Sequence, residues 1–185
     1  RQRQMCIRDS FKTKLSQRIG IDGVNEILNL THNSDTRKQE LYNLVIAEDE
    51  AIGYHAAWIF THFSSQDNEW LYNKHDQLIN EVLVCKHGGK RRVMLNLLYR
   101  QPFPNPPRVD FLDFCLERMM SGEELPAVKS LCMKIAYELC RPIPELMQEL
   151  KTMLAMMEGD LVPSIQAVRK NILKAMQKGK SLQKL

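Results

Sequence analysis

No run of about 18 apolar residues occurs in the 185-residue chain, so no segment reads as a membrane-spanning helix. No stretch alternates apolar and polar residues over a useful length, which removes the signature of a half-buried strand. Cysteine occurs without CxxC spacing. That excludes a zinc ribbon or a thioredoxin-like redox motif. Cys85, Cys115, Cys132 and Cys140 are expected as buried free thiols, in a protein of the reducing cytoplasm. The motifs of common catalysts are missing as well. There is no HExxH, no GxxxxGK followed by Ser or Thr, no nucleophile elbow and no glycine-rich dinucleotide fingerprint. No catalytic residue, cofactor or metal ligand is assigned, and the chain is expected not to be an enzyme.

Acidic residues are absent from 161–185, which hold Arg169, Lys170, Lys174, Lys178, Lys180 and Lys184. Residues 11–160 carry 17 basic and 21 acidic groups, a net of −4. Neutralised phosphates supply most non-specific nucleic-acid affinity, and that demands clustered cations. The body of the chain lacks them. The opening residues RQRQMCIRDS have no helical period, and Met5 to Ser10 can be spelled by the codons of a sequencing transposon end. Residues 1–10 are therefore expected to be a translated adapter ahead of a truncated native start. Residues 11–177 are expected as one helical-repeat domain and 178–185 as a basic tail.

Apolar residues at helical spacing fill the rest. A weak helix from Phe11 to Ile19 stops at Gly20, and Asp22 is a candidate cap for the next. Ser34 or Asp35 caps a third. The stretch Asp49 to Ser65 is the most apolar, with Ala56, Ala57, Trp58, Ile59, Phe60 and Phe63 close together. A helix apolar over so much of its circumference must be covered on more than one side. Asp67 or Asn68 is expected to cap a helix ending at Gly88-Gly89, and another starts at Lys90. The proline-rich loop 101–107 breaks the chain. Four more helices follow, three of them with Pro126, Pro144 or Pro163 in the first turn, where a missing N–H costs little.

One helix pattern recurs. Gly53, Lys90, Val128 and Ile165 align, as do Ala56, Val93, Leu131 and Val168, and Phe60, Leu97, Ile135 and Ile172. With one more helix between copies, the unit is a helical hairpin that must stack on its neighbours to bury both faces. GYHAAWIFTHF, AVKSLCMKIAYEL and SIQAVRKNILKAM resemble the first helices of HEAT or armadillo-type repeats, and the whole chain is similar to short bacterial HEAT-like proteins. The resemblance implies an all-α fold, a right-handed α-α superhelix of stacked hairpins, acting as a scaffold for a protein partner. Arg169 and Lys170 stand where earlier copies are apolar, as suits a terminal repeat with one solvated face.

The string His87-Gly88-Gly89-Lys90-Arg91-Arg92 sets three cations beside a glycine pair at a helix start, where a phosphate can bind. Its plain reading is a helix end followed by solvated cations. Asp110, Asp113 and Glu117 form an acidic strip, expected to lace to Arg108, Arg118, Arg91 or Arg92. Trp70, Lys90, Arg91, Arg92, Asp110 and Asp113 are the candidate binding surface. The alternative function is nucleic-acid binding, as in the HEAT-like alkylpurine DNA glycosylases, with Trp58 or Trp70 stacking on a base and Asp110 or Asp113 supplying charge. A nucleotide enzyme built on the Gly88-Gly89-Lys90 turn is the weakest reading.

Overall fold

Asp49 shows how these helices begin. Its carboxylate accepts from Ala51 N at 3.1 Å and Ile52 N at 3.0 Å, satisfying two of the donors that a helix start leaves unpaired. The computed structural model describes residues 11–157 and 161–184. The expected adapter, 1–10, lies outside them. Helix makes up 74 % of the described residues, and no strand occurs among them. The elements are α1 (residues 11–15), α2 (Ile21–Thr31), α3 (Asp35–Val45), α4 (Glu50–Phe60) and the single turn α5 (Ser65–Asn68), which runs into a 3-10 segment, Glu69–Lys74. Then come α6 (His75–Val84), α7 (Gly88–Tyr99), α8 (Val109–Met120), α9 (Pro126–Cys140), α10 (Pro144–Met156) and α11 (Pro163–Lys178). Among the described residues, no helix is long and apolar enough to cross a membrane.

Caps explain where the boundaries differ from expectation. Ser34 does cap α3, accepting from Arg37 N, but α2 starts after Gly20 with Asp22 inside its first turn. Asp67 does not cap a long helix. Its carboxylate is drawn to Lys38 and His32, residues distant in sequence. Ser64 caps the short α5 instead. Gly88 and Gly89 do not close α6, which ends at Val84; they form the first turn of α7. His87 takes the capping role there, its Nδ1 accepting from Lys90 N at 3.0 Å.

The chain splits into two compact units, Arg1–Leu97 and Leu98–Leu185. In the first, α4 packs on α3, and both touch α2. Its core joins Tyr42, Phe60, Phe63 and Trp70: Phe60 stacks on Trp70 at 6.2 Å between centroids, and Tyr42 meets both rings edge-on. In the second, α9 is the centre, packed by α8, α10 and α11. That position explains why nine α9 residues are buried.

The repeat register is visible in burial. Phe60, Leu97, Ile135 and Ile172 are all completely inaccessible to solvent. Gly53, Lys90, Val128 and Ile165 are also all buried. At about 25 cal/mol per Å2 of apolar surface removed from water, each large side chain in these rows contributes about 1.5–3 kcal/mol to folding.

The C-terminal segment is held in place. Gly179, in the left-handed region at φ +61°, ends α11 and reverses the chain. Glu138 on α9, nearly buried, then accepts from Leu182 N at 2.6 Å, Ser181 Oγ at 3.0 Å and Gln183 N at 3.3 Å, with Arg141 Nε at 3.1 Å. Tyr137 Oη donates to Lys180 O at 2.6 Å, and Gln183 Nε2 donates to Tyr99 O and Gln101 O. Hydrogen bonds to a charged group contribute about 1.5–3 kcal/mol each, discounted here because an undocked carboxylate regains water. Truncation after Gly179 is therefore expected to lower stability by about 2–3 kcal/mol in a urea titration. Glu138→Ala should produce a similar loss, and combining the two should add little. Full additivity would show that Glu138 does not hold the segment.

Candidate interaction site

Of the six residues expected to form a binding surface, Lys90 is not on the surface. It lies in the first turn of α7 with 1 % of its area exposed, and its Nζ meets Glu81 Oε1 on α6 at 2.6 Å. Gly53 on α4 makes the room. A Cβ there would stand 3.0 Å from Lys90 Cε and Nζ and from Val45 O. A long aliphatic stem thus fills the inward position of the second repeat because the same position of the first repeat has no side chain. Arg91 is half-buried and donates from Nη2 to Cys85 O at 2.6 Å. Only Arg92 of the three cations is exposed. The Gly88-Gly89-Lys90 turn is thus occupied by its own cap and ion pair.

Trp70 is half-buried, stacked on Phe60 and approached by Lys74 Nζ at 5.4 Å from its centroid. The ring proposed for base stacking is already stacked. Trp58 meets His62 edge-on at 4.8 Å. Asp110 and Asp113 belong to the other unit, both exposed on α8. Hydrogen bonds from Arg108, including Nε at 2.9 Å, outweigh a small burial effect and hold the Asp110 carboxyl below the usual carboxylate range. The lacing to Arg108 is thus present. Arg118 instead pairs with Glu124 at 3.7 Å. Asp113 has no ion-pair partner among the described residues.

Lys38, Asp67, Ser64 and His32 form a polar cluster in the first unit. Asp67 Oδ1 accepts from Lys38 Nζ at 2.9 Å, while Oδ2 accepts from Ser64 Oγ at 3.0 Å and lies 3.1 Å from His32 Nδ1. A cavity of about 140 Å3 adjoins it, lined also by His62, Phe63 and Thr31. Burial raises the Asp67 carboxyl, but hydrogen bonds from Lys38, His32 and Ser64 together outweigh it and hold the group below its ordinary 3.8. A depressed folded-state value means that the ionised carboxylate stabilises the fold above about pH 4 and that this contribution is lost as the pH falls through the folded value. Asp67→Asn is expected to flatten the acid limb of a stability-against-pH curve below about pH 4. An acid limb parallel to the parent's would show that the cluster does not carry it. Among the described residues, no group of three or more His, Cys, Asp or Glu is placed to hold a metal ion.

Another opening lies in the second unit. A groove of about 600 Å3 runs along α11, lined by Gln166, Arg169, Lys170, Leu173, Lys174 and Gln177, with Met157 and Leu161 at its edge. Positions 166, 170, 173 and 177 fall one helical turn apart, so they form one stripe. A different stripe, Ile165, Ile172 and Ala175, is buried, and α11 packs on α9. Arg169 Nε donates to Leu154 O at 2.6 Å, which fixes the guanidinium at the groove wall. Lys170 and Lys174 are exposed and have no ion-pair partner among the described residues. None of these residues was among the six expected ones. The signal available in sequence was the stretch 161–185, which has six cations and no acid.

An all-α chain with one helix pattern buried in register four times is a helical-repeat protein. The chain matches the HEAT repeat domain over residues 11–176 and belongs to that family. No curated protein and no solved structure matches it.

Proposed function

We propose that this HEAT repeat domain is a non-catalytic scaffold that binds a protein partner. The observation that carries the reading is the repeat architecture. Stacked helical hairpins spend their apolar positions on one another and leave extended polar surface for another chain, the usual employment of HEAT repeats. The polar groups singled out for chemistry support it. Lys90 is paired with Glu81, Asp110 with Arg108, and Asp67 with Lys38. Such partners stabilise a fold and leave little to turn over a substrate. The four cysteines among the described residues are free and buried, which accords with work in a reducing compartment such as the cytoplasm.

The test uses the full chain as bait in a native lysate, with reconstitution of any captured protein from purified components, beside an excision assay on alkylated DNA. The scaffold reading expects a stoichiometric protein complex and no released base. Base release that disappears in Asp113→Asn would overturn it.

A further inference from the structure

We infer that the α11 groove is a docking site for an acidic amphipathic helix of a partner protein. The inference rests on the scaffold reading and names the kind of partner segment involved. Three observations point to one occupant.

The first is register. Arg169 is equivalent to Ala57, Met94 and Cys132 of the preceding copies, and all three are completely buried. Lys170 is equivalent to Trp58, Leu95 and Met133, of which Leu95 and Met133 are completely buried. At Arg169 and Lys170 the groove therefore takes positions that the earlier repeats, Trp58 apart, bury completely. In α11 it bears cations and is open.

The second is composition. Met157, Leu161 and Leu173 give the groove an apolar component, flanked by Arg169, Lys170 and Lys174. Such a surface matches a helix with leucine-like residues on one stripe and carboxylates beside it. The third is charge and size. No acid occurs in 161–185, so nothing on α11 neutralises these cations. The stripe from 166 to 177 rises about 16 Å, room for about three turns of helix. An extended polyanion is a poorer match, because it would leave the apolar component uncovered.

The test is a fluorescence-anisotropy titration of the full chain with three probes. One is a labelled 18-residue helical peptide with leucines at i, i+3, i+4 and i+7 spacing and flanking glutamates. The second is the same peptide with lysines for glutamates, and the third a single-stranded oligonucleotide. The acidic peptide should bind saturably at least about tenfold tighter than the lysine peptide. Lys170→Glu/Lys174→Glu changes two exposed side chains and should leave the circular dichroism and melting temperature unchanged. It should weaken the acidic peptide by at least about tenfold and strengthen the lysine peptide. Leu173→Asp should weaken the acidic peptide as well. Equal binding of the two peptides would overturn the docking proposal. So would binding of neither, or an oligonucleotide that binds tighter than the acidic peptide and is lost in the double variant. The two readings fail separately. If a captured partner binds the double variant as well as the parent, the groove assignment falls while the scaffold stands.

Discussion

Ala57→Arg is expected to abolish the cooperative folding transition of the first unit or lower its stability by more than about 4 kcal/mol. Ala57 sits in α4 with no solvent exposure, one residue before Trp58 and three before Phe60. Packed interiors do not open to admit a long side chain, so overpacking alone contributes about 1–3 kcal/mol. Burying the guanidinium without a carboxylate partner adds several more, because the charge loses its water and gains no compensating bond. Against a total stability of about 5–15 kcal/mol for an ordinary domain, that sum is close to complete loss. Ala57→Gly is the control. It creates no charge and should cost only about 1 kcal/mol, mostly through backbone entropy. Thermal melts followed by circular dichroism separate the two variants. An Arg variant melting with the parent would mean that Ala57 is not in an interhelical contact.

Glu81→Leu is expected to lower stability by about 3–5 kcal/mol, because it leaves the Lys90 ammonium buried and unpaired. Lys90→Met should cost less, about 1–2 kcal/mol, since Glu81 keeps some contact with solvent and Met fills most of the stem's volume beside Gly53. Replacing both, Lys90→Met with Glu81→Leu, should come within about 1 kcal/mol of the parent, as removal of whole buried ion pairs generally does. The double-mutant cycle thus predicts strong coupling between the two sites. Additive losses in urea titrations would show that the 2.6 Å contact contributes nothing beyond each residue's separate packing.

Lys90 also shows what the sequence can and cannot disclose. The repeat alignment puts it at an inward position with Gly53, Val128 and Ile165, while the local string HGGKRR suggests a solvated cation. The alignment is the better guide, because register is imposed by the packing around each copy of the helix. A cation can satisfy it when a glycine opposite makes space and a carboxylate lies within reach. Phe60, Leu97, Ile135 and Ile172 are legible for the same reason: an apolar residue recurs wherever the same face meets a neighbour. Partners distant in sequence leave no such period. The docking of Leu182 N on Glu138 joins residues 44 apart, and the diversion of Asp67 to Lys38 spans 29, so the held C-terminal segment and the broken α5–α6 region both escape a local reading. The α11 groove lies between. Its cations are plain in sequence, but their arrangement around Leu173 needs the helix to be placed.

The most direct measurement of the central claim is a native mass spectrum of the full chain with its captured protein partner. It is taken at equimolar ratio and again with the chain at one part in a hundred. A scaffold predicts a complex at the sum of the two unmodified masses, with the partner's own mass constant over time in both mixtures. A partner whose mass shifts progressively in the dilute mixture would be undergoing turnover, and would contradict the account.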